Sequence, residues 1–156
     1  MFSSLTEILA PERVLCREPC GSKKRALELI ARLAADSVPE LDEDELLTSL
    51  NARERLGSTG LGDGIAIPHC RLPHCERAVA ALLTLEAPID FASIDEKPVD
   101  LVFALMVPED ATDEHLELLG RLARLFVETD LCRALRRSRD RDELYERMLD
   151  AWARTD

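Results

Sequence analysis

An unbroken apolar run at residues 99–107 constrains the fold more than any other part of the chain. After Asp100, every position up to residue 107 is apolar. A strand with one face in solvent alternates apolar and polar residues, whereas a strand covered on both faces is apolar throughout. Pro108 ends the run, because proline lacks the backbone donor that a central strand needs. The segment therefore predicts a central strand in a sheet that is covered by helices on both sides.

Helix start signals alternate with shorter apolar segments along the rest of the chain. Ser22 is placed to cap a helix that runs to about residue 36. Asp42, with Glu45 three residues later, forms a capping box for a second helix that ends near Arg55. Further helices are predicted after residue 108 and at residues 131–137 and 140–153, and further strands at residues 14–16, 65–67 and 78–85. We therefore predict an α/β protein: a single three-layer domain, residues 1–156, with a mixed central sheet flanked by helices on both faces.

The helix after residue 108 is predicted to carry a histidine in its first turn. Asp110 or Thr112 can cap this helix. Its buried stripe is predicted to consist of the apolar residues Leu116, Leu119, Leu122, Ala123 and Phe126. His115 lies where backbone N–H groups are unpaired and the helix dipole favours anions. It is therefore either an exposed first-turn residue or a ligand for an anion.

A glycine-rich stretch precedes the strongest candidate for a reactive side chain. Four of the six glycines fall within residues 57–64, which indicates a tight, exposed turn. A short strand then ends at Pro68, so His69 follows at a strand end, beside backbone N–H groups and the hydroxyls of Ser58 and Thr59. A neutral imidazole can act as a nucleophile, and such a loop can hold an anion. The alternative is a solvated histidine with no chemical role.

Arg53 is predicted to lie in the last turn of the second helix, immediately before this glycine-rich stretch. One interpretation is a cation that stabilises the negative end of the helix dipole. The other is a phosphate ligand whose position is fixed by the helix.

Charge and composition exclude several classes of function. The 156 residues include 31 acidic and 20 basic side chains, a net charge of −11 that repels nucleic-acid phosphates and anionic lipids. The sequence contains neither an apolar run of 18 residues nor a signal-peptide pattern, so we expect a soluble, cytoplasmic protein without membrane insertion. Its five cysteines, an odd number, are expected to be free thiols in a reducing compartment.

Two blocks of sequence resemble one known family. Residues 53–60 (Arg-Glu-Arg-Leu-Gly-Ser-Thr-Gly) and 64–69 (Gly-Ile-Ala-Ile-Pro-His) resemble the active-site signature of the mannitol/fructose-type enzyme IIA domains of the bacterial phosphotransferase system. Residues 99–108, followed by His115-Leu116 and Leu118-Leu119, resemble the second motif of that family. Both blocks fit in order and spacing, and the nearest subgroup is the nitrogen-regulatory enzyme IIA.

The resemblance implies a phosphoryl carrier that needs no cofactor. His69 would accept the phosphoryl group on Nε2 from a histidine-phosphorylated carrier protein, His115 would hydrogen-bond the phosphate, and Arg53 would neutralise it. Ser58 and Thr59 lie in the matching loop as candidates for phosphate contacts. The phosphorylation state would regulate other proteins. The alternative is a sugar-specific component that passes the phosphate to a separate IIB/IIC permease.

One departure from the family pattern raises a further alternative. Family members commonly have glycine after the active-site histidine, where this chain has Cys70. His69, Cys70, His74 and Cys75 bring two imidazoles and two thiols within seven residues, and such ligands suit Zn or Cu. The sequence therefore leaves open a non-enzymatic metal-binding module. It also leaves open oxidation of Cys70 beside the phosphorylation site.

Overall fold

The computed structural model describes residues 4–110 and 113–155. Its helices are α1 (Lys23–Ser37), α2 (Glu43–Leu56), α3 (Asp113–Leu125), α4 (Thr129–Arg136) and α5 (Arg141–Ala153), with 3-10 turns at Leu5–Glu7 and Pro11–Arg13. Its strands are β1 (Val14–Glu18), β2 (Gly60–Gly62), β3 (Ile65–Ala66), β4 (His69–Leu72), β5 (Val79–Ile89) and β6 (Val99–Pro108). Across these described residues, each helix is too short or too polar to span a membrane.

Within the described part of the chain, the strands form one mixed sheet built around β6. β5 pairs antiparallel with one edge of β6, and β1 pairs parallel with β5. Along the other edge, β3 and β4 pair parallel with successive parts of β6, and His69 lies beside Leu105. β2 pairs antiparallel with β3. Pro68 separates β3 from β4, so a single interrupted strand runs along β6 and brings His69 to its second half.

Helices cover both faces of the sheet, which explains why β6 is almost entirely apolar. Leu101, Phe103 and Leu105 are buried in a core shared with α3, α4 and α5. Val102 and Ala104 are buried in a second core, shared with α1 and α2. The predicted α/β class, with a mixed central sheet between two helical layers, is confirmed.

Local sequence signals set the helix ends as predicted. The Ser22 hydroxyl oxygen accepts a hydrogen bond from the Arg25 backbone N–H at 3.1 Å, and the Asp42 carboxylate accepts one from Glu45 at 2.9 Å. Each bond satisfies a backbone donor that the first turn of a helix leaves unpaired. Gly57 follows α2 with a φ of +156°, a conformation that glycine adopts without a steric penalty.

Two boundaries around the site differ from the prediction because strand pairing extends further than the local sequence indicates. His69 is predicted to follow the end of a strand, whereas a further strand, β4, begins at this residue and pairs with residues 105–108. The strand predicted to end at residue 85 continues as β5 to Ile89, where pairing with Val99 resumes.

The predicted buried stripe of α3 is partly wrong. The buried residues of the helix are Leu118, Leu122 and Leu125, whereas Leu116 is 57% exposed. Leucines occupy two faces of this helix, and packing on the sheet decides which face is covered. Thr112, one of the two predicted caps, lies outside the described residues.

Candidate functional site

A cavity of about 470 Å³ opens beside the second half of β6, between the end of α2 and the start of α3. Its lining includes Arg53 in the last turn of α2, His69 at the start of β4 and His115 in the first turn of α3. The fold therefore brings together three predicted site residues from three different elements. Most of the remaining lining is apolar and consists of Ala52, Leu56, Leu105, Val107, Leu116 and Leu119.

The pairing of β4 with β6 sets the direction of the His69 side chain. The Leu105 N–H donates to the carbonyl of Pro68 at 2.9 Å and fixes the break between β3 and β4. Because side chains alternate along a strand, His69 lies on the same face as its neighbour Leu105, and Cys70 lies on the opposite face. The His69 ring consequently faces the cavity, and the Cys70 side chain packs in the core beneath α1 and α2.

A backbone contact selects the tautomer of the His69 ring. Nδ1 of His69 lies 2.9 Å from the carbonyl oxygen of Ile67. A carbonyl oxygen can only accept a hydrogen bond, so in the neutral imidazole Nδ1 carries the proton and Nε2 keeps its lone pair. The ring nitrogen that this bond leaves available is therefore a potential nucleophile.

Arg53 is held by the turn that ends α2. Its Nη1 donates to the carbonyl oxygen of Gly57 at 2.9 Å, and its side chain also lines the cavity. The two interpretations of Arg53 are thus compatible, since one guanidinium pairs with a helix-terminal carbonyl and still faces the cavity. His115 approaches from the opposite side, at the N-terminal end of α3, where the helix dipole favours an anion.

The hydroxyls of Ser58 and Thr59 form hydrogen bonds within the protein. Ser58 Oγ donates to the Phe91 carbonyl at 2.8 Å and accepts from the Gly60 N–H at 3.0 Å. Thr59 Oγ1 donates to the Glu54 carboxylate and is buried. Neither residue is part of the cavity lining. Their phosphate contacts stay a prediction.

Arg71 is a cavity residue that the sequence reasoning missed. It follows His69 by two positions on β4, lies on the same face of the strand, and is exposed. Its guanidinium adds a second arginine to the cavity lining. The alternation of the run His-Cys-Arg-Leu could have identified it, had residues 69–72 been interpreted as a strand.

The proposed metal ligands lie in different surroundings. His69 and Cys70 line the cavity of about 470 Å³, whereas His74 and Cys75 line a separate cavity of about 170 Å³. Cys75 Sγ donates to the Arg77 carbonyl at 2.8 Å. Within residues 4–110 and 113–155, no three His, Cys, Asp or Glu side chains are grouped so that they could hold a metal ion. This separation argues against the metal-binding alternative.

The Cys70 thiol is also poorly suited to oxidation. Burial raises its pKa to about 12, and the neighbouring Cys75 adds to the increase. The reactive form of cysteine is the thiolate, so a buried thiol of this kind stays protonated and unreactive near neutral pH.

Comparisons with known proteins identify the family of this chain. The chain matches the family model described as "Phosphoenolpyruvate-dependent sugar phosphotransferase system, EIIA 2" over residues 7–151. A nitrogen regulatory protein of Pseudomonas aeruginosa is 50% identical over 146 residues, which cover 94% of this chain and 95% of that protein. The crystal structure of nitrogen regulatory protein IIA-Ntr from Neisseria meningitidis has a TM-score of 0.85 at 38% identity, covering 91% of this chain and 97% of that one. A mannitol enzyme IIA of Escherichia coli, solved in complex with phosphorylated enzyme IIB, has a TM-score of 0.74 at 15% identity, covering 90% and 98%.

The chain therefore belongs to the type-2 enzyme IIA family of the phosphoenolpyruvate-dependent sugar phosphotransferase system. Within this family it is similar to the nitrogen regulatory proteins, as the two sequence motifs predict. The likeness to the mannitol enzyme IIA, at 15% identity, extends to the fold alone.

Proposed function

We propose that this chain, as one domain over residues 1–156, accepts a phosphoryl group on Nε2 of His69 from a histidine-phosphorylated carrier protein. The observation that carries this proposal is the 2.9 Å contact between His69 Nδ1 and the Ile67 carbonyl. That contact keeps the proton on Nδ1, so the lone pair of Nε2 is available in a cavity that Arg53 and His115 also line.

The transfer needs little from the protein beyond position and charge. The Nε2 lone pair of His69 attacks phosphorus and a P–N bond forms. The bond to the donor histidine breaks and its electron pair returns to the donor ring, which carries a proton on its other nitrogen and so leaves as a neutral imidazole. The Nδ1 proton stays on the ring, held by the Ile67 carbonyl. Arg53 neutralises charge on the phosphoryl oxygens, and His115 donates a hydrogen bond to them.

We assign a regulatory role to the phosphorylated and unphosphorylated forms. The 50% identity to a nitrogen regulatory protein supports this assignment. The alternative, transfer to a separate IIB/IIC permease, is supported by the 32% identity to a fructose-specific EIIA component of Haloferax volcanii, which is lower than the 50% identity to the nitrogen regulatory protein. A donor charged from phosphoenolpyruvate fits the cytoplasmic location expected from the sequence.

The test is phosphorylation of the purified chain by phosphoenolpyruvate, enzyme I and the carrier protein. We expect one acid-labile phosphate per chain in the wild type and none in His69→Ala. His74→Ala is the matched control, because its imidazole is exposed and lines the other cavity, and it should be charged like the wild type. A phosphorylated His69→Ala protein would overturn the assignment.

A further inference from the structure

We propose that Glu54 and Thr59 are positioning residues that hold His69 and Arg53 in their relative places. The proposal rests on the role of His69 as the phosphoryl acceptor. The connecting segment, residues 57–59, joins α2 to the β2–β3 hairpin. Arg53 contacts Gly57 within this segment, and His69 contacts Ile67, which follows the hairpin turn.

The carboxylate of Glu54 is held in place by several contacts and in turn binds Thr59. Its side chain is only 6% exposed and pairs with Lys23 Nζ at 2.6 Å. The same carboxylate accepts hydrogen bonds from the Thr59 hydroxyl and, at 3.3 Å, from the Thr59 backbone N–H. A nearly buried carboxylate is costly unless its oxygens are paired, so these contacts are expected to persist together.

Two hydrogen bonds in sequence connect Thr59 to the His69 ring. The carbonyl oxygen of Thr59 accepts from the Ile67 N–H at 3.0 Å. The carbonyl oxygen of Ile67 in turn accepts from His69 Nδ1 at 2.9 Å. A displacement of Thr59 would therefore move the carbonyl that selects the tautomer of His69.

A second pair of hydrogen bonds connects the backbone of Glu54 to the Arg53 side chain. The Gly57 N–H donates to the backbone carbonyl of Glu54 at 3.2 Å, and the Gly57 carbonyl accepts from Arg53 Nη1 at 2.9 Å. Ser58, between Gly57 and Thr59, is fastened to the Phe91 carbonyl at 2.8 Å. The segment is thus bonded to Arg53 directly, through Gly57, and to His69 indirectly, through Thr59 and Ile67.

The test compares Thr59→Val, which removes the hydroxyl at nearly constant volume, with Thr59→Ser, which keeps it. The matched control is Thr84→Val, because Thr84 is similarly buried (3% against 5%) and its hydroxyl oxygen accepts from the Arg17 N–H. The readouts are the rate of phosphorylation by the carrier protein and the ¹⁵N NMR shifts of the His69 ring in the unphosphorylated protein.

We expect Thr59→Val to lower the phosphorylation rate by about 10- to 100-fold, the range in which small misplacements of a reacting group act. The share of the Nδ1–H tautomer should fall in the same variant. Thr59→Ser should restore both values, and Thr84→Val should leave the tautomer unchanged. A general loss of stability would affect the two valine variants alike.

The tautomer measurement decides whether Thr59 positions His69. A wild-type tautomer share in folded Thr59→Val would overturn the proposal. If Thr59→Val does not fold, Glu54→Gln replaces it. The amide keeps one acceptor for Thr59 but loses the charge that pairs with Lys23. An unchanged share of the Nδ1–H tautomer in Glu54→Gln would likewise overturn the proposal. Failure of the carrier protein to charge the wild type would refute the proposed function alone, because the NMR measurement needs no donor.

Discussion

At the scale of single residues, two arginines among the described residues line the cavity that holds His69, and they reach it from different elements. Arg53 comes from α2 and Arg71 from β4. Arg53 is fastened to the Gly57 carbonyl, whereas Arg71 is an exposed side chain at the cavity edge. The two cations therefore differ in what they contribute to the cavity: Arg53 supplies a positive charge held by a hydrogen bond, and Arg71 supplies an exposed one.

We expect Arg71→Ala to lower the phosphorylation rate by up to about fivefold. An exposed charge acting on an anion is worth roughly 0.2–1 kcal/mol, since solvent screens it. The measurement is the second-order rate of charging by the carrier protein at low and high salt, and the difference should shrink as salt rises. Arg77→Ala is the control, because Arg77 is also exposed but lines the second cavity. Equal rates for the two variants would contradict the assignment of Arg71 to this site.

The sequence was sufficient to identify His69, Arg53 and His115 as candidates, and the structure places all three on one cavity lining. It was not sufficient to show what Ser58 and Thr59 contact. Their hydroxyl partners are a carbonyl 33 residues away and a neighbouring carboxylate, and both exist only once the loop is packed. The spacing of residues shows which hydroxyl groups lie in a loop, but not which of them already form hydrogen bonds within the folded protein.

At the scale of elements, the predictions succeeded where local interactions decide and failed where pairing decides. The caps at Ser22 and Asp42 need only three neighbouring residues, and both were predicted correctly. β4 needs a partner more than thirty residues later in the chain, and its own composition does not indicate a strand. Pro68 also makes the segment look like a loop, although it only divides one strand into β3 and β4.

The start of α1 illustrates how tertiary contacts override a local rule. Lys23 lies in the first turn of the helix, where the dipole disfavours a cation. Its Nζ is 2.6 Å from the Glu54 carboxylate and 4.7 Å from the centre of the Phe91 ring. The ion pair and the aromatic contact offset a dipole term of a few tenths of a kcal/mol.

The turn between β2 and β3 depends on Gly64. Its φ is +84°, and a Cβ added there would lie 2.6 Å from Arg136 Nη2 and 3.2 Å from Asp100 Oδ1. Arg136 cannot simply move away, because it donates to Asp100 at 2.9 Å and to the Asp63 carbonyl at 2.8 Å. A side chain at this position would therefore strain the turn and also disturb the link from α4 to β6.

We expect Gly64→Ala to lower the free energy of unfolding by about 2 kcal/mol, the range for a positive φ combined with a disturbed contact. Gly21→Ala is the control, since nothing lies within 4 Å of the position of its added Cβ, and it should change stability by less than about 0.5 kcal/mol. Denaturant unfolding monitored by circular dichroism measures both. A stable Gly64→Ala protein would show that the turn tolerates a side chain.

At the scale of the whole molecule, the sheet separates two cores, and each contains thiols. Cys70 and Cys75 are buried with α1 and α2, and Cys132 is buried with α3, α4 and α5. Burial raises the pKa of all three thiols above the ordinary value. The folded protein therefore holds these protons more tightly than the unfolded chain does.

The consequence is a loss of stability at alkaline pH that Cys70 should dominate. Well below pH 9 the Cys70 thiol is neutral in the folded and the unfolded state, so it does not change the free energy of unfolding. Above pH 9 the unfolded thiol ionises while the folded one, with a pKa of about 12, does not. Stability falls wherever the folded state binds more protons than the unfolded state, and for this group the loss is on the order of 1 kcal/mol at pH 10.

Urea unfolding at pH 8 and pH 10 measures this effect as a difference between two stabilities. Between the two pH values, Cys70→Ala should lose less stability than the wild type, by on the order of 1 kcal/mol, because the variant has no thiol to ionise when it unfolds. Leu72→Val is the control, since Leu72 is buried in the same core on the same strand and carries no ionisable group, so it should keep the wild-type pH dependence. Each protein is compared with itself at the two pH values, so the loss of stability caused by the cavity at the alanine cancels. An identical pH dependence in wild type and Cys70→Ala would mean that the thiol reaches solvent and can ionise without unfolding of the core beneath α1 and α2.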